Sequence, residues 1–241
     1  MPIVATSNPK VIIALDLEDK VQLQNLIAQL DPATCRLKIG KTLFTHYGPE
    51  WVKQLQQAGF EIFLDLKFHD IPAQVAGACF EAAQLGVWMT NVHALGGLAM
   101  LQAAKAAIDR SAEQRGKRPY LIGVTLLTSS GPNELKQLGI TASVEETVMR
   151  LAGLCFEAGL DGVVCSANET AMLKKAFGEQ FLCVTPGIRL PEDDKQDQQR
   201  VMTPTLAVKA GSDYLVIGRS VTHASLPQAV LKQINESIIA A

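Results

Sequence analysis

The sequence lacks paired cysteines, an excess of either charge, an apolar run of membrane-spanning length and any low-complexity tract, and each absence removes a class of function. Its five cysteines, Cys35, Cys79, Cys155, Cys165 and Cys183, are odd in number and scattered, without the paired spacing of a zinc site or a redox motif. That usage suits a reducing cytosol. With 22 basic and 24 acidic side chains the formal net charge is −2, so the surface as a whole offers no basic field to a nucleic acid or an anionic membrane. Any anion site must therefore be local. No uninterrupted apolar stretch approaches the roughly 18 residues of a membrane helix, and the opening MPIVATSNPK lacks the basic-then-apolar order of a signal peptide. The expectation is a soluble, cytoplasmic protein with no nucleic-acid or membrane partner.

What is present is the composition of an ordinary globular chain, 48% hydrophobic and 19% charged over 241 residues, long enough to bury a sizeable core. No Pro/Gly/Ser-rich linker divides it, and residues 1–241 are read as one domain. Short β-rich apolar runs recur eight times: VIIALDL (11–17), CRLKIGK (35–41), FEIFLDLK (60–67), TNVHAL (90–95), YLIGVTLLT (120–128), GVVCSA (162–167), FLCVTPG (181–187) and YLVIGRS (214–220). Segments with apolar residues at helical spacing lie between them, among them VQLQNLIAQL (21–30), PEWVKQLQQAG (49–59), LAMLQAAKAAIDRSAEQ (98–114), VEETVMRLAGLCFEAG (144–159) and TPTLAVKAG (203–211). Near-continuous apolar strands bury both faces, which calls for a parallel sheet covered by helices. Gly59, Gly86, Gly159 and Gly211 each stand just before the next strand, where a left-handed helix C-cap is easiest for glycine. Eight such units predict an α/β fold of the closed (β/α)8 TIM-barrel type rather than an open doubly wound sheet. The polar stretch PEDDKQDQQR (191–200) follows the seventh run directly and reads as a mobile active-site loop.

In a barrel of this kind, chemistry gathers at the C-terminal ends of the strands. The runs end in Asp16; Lys38 and Lys41; Asp65 and Lys67; His93; Thr128 and Ser129; and Arg219. One polar strand end means only a strand emerging into solvent; repeated around most of the barrel, the pattern marks a rim with a purpose. In FLDLKFHDIPAQV (63–75), Asp65 and Lys67 are two apart and share a side, while Asp70 lies on the loop before Ile71 and Pro72, so the lysine stands between carboxylates. Flanking anions suit an ammonium that donates a proton rather than removing one. An ion pair tying down the loop is the competing reading of the triplet alone. Lysines interleaved with the acids put positive charge where a divalent cation would sit, and no metal is expected.

His93, inside NVHALGG, is expected to be a hydrogen-bonded residue of the barrel interior rather than a catalyst, and His46, His69 and His223 carry no usable spacing. No His/Asp spacing supports Thr128 or Ser129 as a nucleophile. VTPGIRLP (184–191) and LVIGRS (215–220) follow the pattern by which barrels bind phosphate after strands seven and eight. Gly187 and Gly218 free backbone N–H groups, and Arg189 and Arg219 supply guanidinium forks for phosphate oxygens. Tight turns with solvent-facing arginines are the alternative; the placement of both pairs favours a phosphorylated small molecule.

The set ALD (14–16), KIG (38–40), DLKFHDIP (65–72), NVHALGG (91–97), VTLLTS (124–129), TPGIR (185–189), DQQRVMTP (197–204) and IGRS (217–220) resembles the orotidine 5′-phosphate decarboxylases, which make UMP from OMP, across essentially the whole chain. The resemblance implies that Lys67 protonates C6 of the pyrimidine as CO2 leaves, with Asp65 near the departing carboxylate. It implies a homodimer in which Asp70 reaches into the partner's site. Asp16 and Lys38 would contact the ribose, Lys38 also joining the charge network; Thr128 and Ser129 would address the pyrimidine. Arg189, Gln198, Gly218 and Arg219 would hold the phosphate, Pro186 would belong to the substrate-binding set, and residues 189–203 would form a lid. No cofactor is implied. Magnesium-dependent sugar-phosphate decarboxylases and synthases of the same superfamily carry an acidic metal ligand where this chain has Lys38, and a non-catalytic nucleotide-sensing barrel is a third possibility.

Overall fold

A computed structural model of the chain describes residues 8–190 and 201–240. In chain order the elements are β1 (Val11–Leu15), α1 (Lys20–Gln29), β2 (Arg36–Gly40), α2 (Lys41–Gln57), β3 (Ile62–Phe68), α3 (Pro72–Gln84), β4 (Met89–His93), α4 (Gly97–Arg115), β5 (Tyr120–Val124), α5 (Pro132–Gln137), α6 (Val144–Glu157), β6 (Gly162–Val164), α7 (Thr170–Phe177), β7 (Leu182–Thr185), α8 (Pro204–Lys209), β8 (Tyr214–Ile217), α9 (Arg219–Thr222) and α10 (Pro227–Ile239). Each strand pairs in parallel with its neighbours in sequence, and β8 closes on β1 with Val11 opposite Leu215. The fold is a (β/α)8 barrel.

Alternation along the strands separates two cores. Ile12 and Ala14 of β1 point inward with Phe63, Met89, Ile122, Val184 and Val216, filling the barrel. Val11, Ile13 and Leu15 point outward and pack beneath the helices with Leu37, Ile39 and Leu215. Because both faces are buried, the strands read as continuous apolar runs. Wherever a polar residue holds an inward position, it is therefore a departure that needs a local reason.

Gly59, Gly86, Gly159 and Gly211 all have left-handed φ, between 75° and 106°, and end α2, α3, α6 and α8 as expected. Other features differ from expectation. Helix α2 begins at Lys41, eight residues before the predicted segment, and kinks where Gly48 (φ 68°) precedes Pro49. Helices α3, α7 and α10 fill the intervals after β3, β6 and β8. β5 stops at Val124, so Thr128 and Ser129 lie in the loop before α5 rather than on a strand end. Arg219 is likewise the first residue of α9, not the last of β8.

Candidate active site

A cavity of about 520 Å³ opens at the C-terminal ends of the strands. One wall is charged. On β2, Lys38 points inward; on β3, Asp65 does the same, the two strands pairing with Gly40 opposite Asp65. The Lys38 ammonium lies 3.3 Å from Asp16 Oδ1 and 3.3 Å from Asp65 Oδ2. Asp65 Oδ1 in turn accepts hydrogen bonds from Lys67 Nζ at 2.6 Å and Asn91 Nδ2 at 2.6 Å. The order is thus Asp16, Lys38, Asp65, Lys67, alternating in sign.

The arrangement differs from the local reading of the sequence, in which a lysine stood between two acids: the fold places a carboxylate, Asp65, between two lysines. Asp70 is outside this chain of charges. It is exposed, and its carboxylate accepts from its own neighbour, the Ile71 N–H, at 2.6 Å. Lys38 displaces it as the nearby partner because adjacent parallel strands bring side chains together that sequence separation hides.

The Lys38 and Asp65 side chains are each only 10% exposed. Burial opposes the charged form of both, yet the opposite charges outweigh it. Burial pulls Lys38 down, and Asp65 and then Asp16 push it up further, leaving its ammonium held above the ordinary lysine value. Burial pushes Asp65 up, and Lys38, Lys67 and the Asn91 hydrogen bond bring its carboxyl below the ordinary range. Both groups stay ionised at neutral pH.

Lys67 has φ 52°, the only positive φ at a non-glycine among the described residues. The β3–β4 register shifts between Leu64 and Phe68, so Lys67 does not follow the regular pleat. Its backbone N–H donates to Asn91 Oδ1 at 2.8 Å. A lysine held in this region costs about 1–3 kcal/mol. Asn91, fully buried on β4, thus secures the lysine's main chain with one end of its amide and Asp65 with the other. Sequence reasoning passed over it. The available signal was an amide inside an apolar β run, where Asn is disfavoured unless its hydrogen bonds are met.

His93 corrects another expectation. Its Nδ1 is buried with no hydrogen-bond partner, so it is not the hydrogen-bonded interior residue anticipated. Burial, then His69, Lys67 and Lys41, lower its pKa to about 4, and the imidazole is neutral at pH 7. The His69 ring centroid lies 5.5 Å away.

The opposite wall comes from the ends of β7 and β8. Gly187 takes φ 77°, and the Arg189 N–H donates to the Met202 carbonyl at 3.1 Å while the Met202 N–H donates to the Gly187 carbonyl at 3.2 Å. These bonds hold residues 187–189 beside Met202; residues 191–200, Gln198 among them, lie outside the described residues. Pro186, Arg189, Gly218 and Arg219 line this side, and Thr128 and Ser129 line the wall between. Thr222 and His223 line it too, although no spacing pointed to them. Among the described residues there is no cluster of three His, Cys, Asp or Glu suited to a metal ion. The two described carboxylates that line the cavity, Asp16 and Asp65, are bridged by the Lys38 ammonium.

Residues 9–234 match the family model described as Orotidine 5'-phosphate decarboxylase / HUMPS family. The chain is 55% identical over 232 residues to an orotidine 5'-phosphate decarboxylase from Psychromonas ingrahamii, covering 96% of this chain and 98% of that one. It is 54% identical to that of Shewanella sediminis, with the same coverage of 96% and 98%. The crystal structure of the Lactobacillus acidophilus orotidine 5'-phosphate decarboxylase superposes with a TM-score of 0.85 at 38% identity, covering 96% of this chain and 99% of that chain. No described helix is long and apolar enough to cross a membrane. In motif, barrel and near full-length identity alike, the chain belongs to the orotidine 5'-phosphate decarboxylase / HUMPS family.

Proposed function

We propose that the protein decarboxylates orotidine 5′-phosphate to UMP, as a single-domain barrel that works in the cytoplasm as a homodimer and without a cofactor. The observation that carries this reading is the alternation of buried Lys38 and Asp65 with half-buried Lys67 on one cavity wall. The bond from C6 to its carboxyl carbon breaks with the electron pair left on C6, and CO2 departs. The proton that replaces it comes from the Lys67 ammonium, and the amine so formed regains a proton from solvent. With no electron sink, negative charge developing at C6 must be met by electrostatics. An ammonium already fixed by Asp65 and by the Asn91-held backbone does so without reorganising.

The remaining roles follow the walls. Asp65 stands near the leaving carboxylate, Asp16 and Lys38 take the ribose hydroxyls, and Thr128 and Ser129 address the pyrimidine edge, with Pro186 against the ligand. Arg189, Arg219 and the Gly218 backbone hold the phosphate, joined by Gln198. Remote phosphate binding then orders the site for chemistry at C6. Asp70 serves a second copy. Its exposure supports this, as does the exposed apolar side chain of its neighbour Ile71, 64% accessible. A two-fold pair would offer each Asp70 to the other copy's lysines.

An absorbance assay of the purified protein with OMP, with and without EDTA, tests the reading. Turnover unaffected by EDTA is expected. OMP turnover abolished by EDTA would overturn the cofactor-free part of the reading, no OMP turnover would leave the metal-dependent sugar-phosphate decarboxylases and synthases, and UMP binding without OMP turnover would favour a nucleotide sensor. Sedimentation of the wild type checks the dimer, and OMP turnover of Asp70→Ala mixed with Lys67→Ala checks the shared site: activity recovered in the mixture requires a composite dimer.

A further inference from the structure

The β8 side of the cavity carries a residue to which the phosphate reading above gives no role. Gly218, Arg219, Thr222 and His223 line the cavity while Ser220 and Val221 do not. That spacing is one face of a single helical turn. The His223 N–H donates to the Arg219 carbonyl at 3.0 Å and the Thr222 N–H to the Gly218 carbonyl at 3.0 Å. Val221 is fully buried on the other face, which fixes the rotation of the turn and keeps its neighbours turned to the cavity. His223 is therefore stacked one turn from Arg219, exposed, on the wall opposite Lys67.

The charge of the surroundings narrows what an imidazole there can meet. Among the described residues lining the cavity the only carboxylates are Asp16 and Asp65, and both pair with Lys38. The wall around His223 offers arginines and a hydroxyl instead: Arg189, Arg219 and Thr222. An imidazole among donors finds its acceptor in an anion brought by a ligand. A phosphate monoester has three terminal oxygens, more acceptor sites than two guanidinium groups fill, and an imidazole N–H is a suitable further donor. We propose that His223 is an additional phosphate-binding residue, donating an N–H to the substrate's phosphate monoester from the C-terminal end of α9, one turn after Arg219. The inference rests on the reading of this cavity as a phosphorylated-nucleotide site and adds a residue to its phosphate end.

The chain has four histidines, so imidazole nitrogens can be followed individually in protein labelled with 15N-histidine, that of His223 being identified by its loss in His223→Gln. Titration with inorganic phosphate is expected to shift the His223 signals, UMP to do the same, and uridine to leave them in place. In kinetics, His223→Ala should raise the KM for OMP about tenfold, as for loss of one hydrogen bond to a charged group, and His223→Gln, which keeps an N–H donor, by no more than about threefold. Turnover of orotidine, which lacks the phosphate, should be the same in wild type and His223→Ala. His223 signals that ignore inorganic phosphate would overturn the proposal. So would a His223→Ala defect equal for OMP and orotidine, since that is the mark of a structural role. A wild type that fails to turn over OMP while its His223 signals follow phosphate would sink the decarboxylase reading and leave the phosphate contact standing.

Discussion

Two inward-facing cations sit two residues apart on β2, Arg36 at the foot of the barrel and Lys38 at its mouth, and their surroundings are built on opposite plans. All three guanidinium nitrogens of Arg36 are occupied: Nε and Nη2 donate to Glu61 Oε2 at 2.9 and 2.7 Å, Nη2 also to Asn8 Oδ1 at 2.8 Å, and Nη1 to the Pro9 carbonyl. The plane lies 4.0 Å from the Trp88 ring centroid and 5.3 Å from that of Tyr214. A planar fork suits such a closed, stacked plug. Lys38 has only carboxylates near it, both at 3.3 Å, and shares Asp65 with Lys67. The four charges of the row sum to zero, but Asp16 stands at its exposed end, so the other end presents the Lys67 ammonium to the cavity. Where a charge serves stability its donors are saturated; at the mouth the unsaturated ammonium donors are what a reacting anion can use.

The comparison breaks most sharply if the mouth proves structural. Lys67→Ala should lower OMP turnover by at least about 10⁴-fold, the loss of a general acid and of preorganised charge together, while the barrel stays folded by circular dichroism. Substantial residual turnover would move Lys67 to the same class as Arg36. Asn91→Ala comes next. It frees the Lys67 backbone and removes one donor to Asp65, and a misplaced ammonium should cost about 10²-fold in turnover. At the foot the effects should reverse. Arg36→Met should leave turnover within about twofold yet cost about 2–4 kcal/mol in urea denaturation, from Glu61 and the Pro9 carbonyl left unmet.

A smaller effect separates the two ends by pH. His93 sits at the mouth, and burial first, then His69, Lys67 and Lys41, bring its pKa from 6.5 to about 4, with Asp65 opposing. The unfolded chain therefore takes up this proton more readily than the folded one. The contribution to stability is complete above pH 6.5 and is lost as pH falls toward about 4. Urea midpoints measured across that window should fall less steeply with acid in His93→Gln than in the wild type, and identical slopes would show that His93 does not contribute.

The strands were legible because burial on both faces leaves continuous apolar runs, and their order followed from the alternation with helices. Helix α3, PAQVAGACFEAAQ, was not, since small residues dominate it and blur the contrast between its faces. The candidate site was half legible. Asp16, Lys38, Asp65 and Lys67 were all recognisable at strand ends, but the pairing among them was not. Local spacing offered Asp70 to Lys67, whereas the barrel brings Lys38 of the neighbouring strand to Asp65 at 3.3 Å. His223 was invisible for a similar reason, because its value depends on a single turn of helix following β8.

The backbone of Lys67 was beyond any such reading, and it gives the finest test of what distinguishes mouth from foot. A lysine at φ 52° is in a region that glycine enters freely and a residue with a Cβ does not. Lys67→Gly and Lys67→Ala both remove the ammonium, both leave Asp65 paired with Lys38, and differ only in the Cβ. If strain is stored there, Lys67→Gly should be the more stable of the two by about 1 kcal/mol despite glycine's greater freedom when unfolded, with both equally inactive. Equal stabilities, or alanine the more stable, would mean that β3 relaxes once the side chain is gone. The bent strand would then be a consequence of holding the lysine toward Asp65 rather than a property of the β3–β4 register. Either result separates the geometry that the fold imposes from the geometry that the ion pair imposes, and at the foot, where Arg36 lies on a regular strand opposite Ile12 without a register shift, no such difference between substitutions is expected.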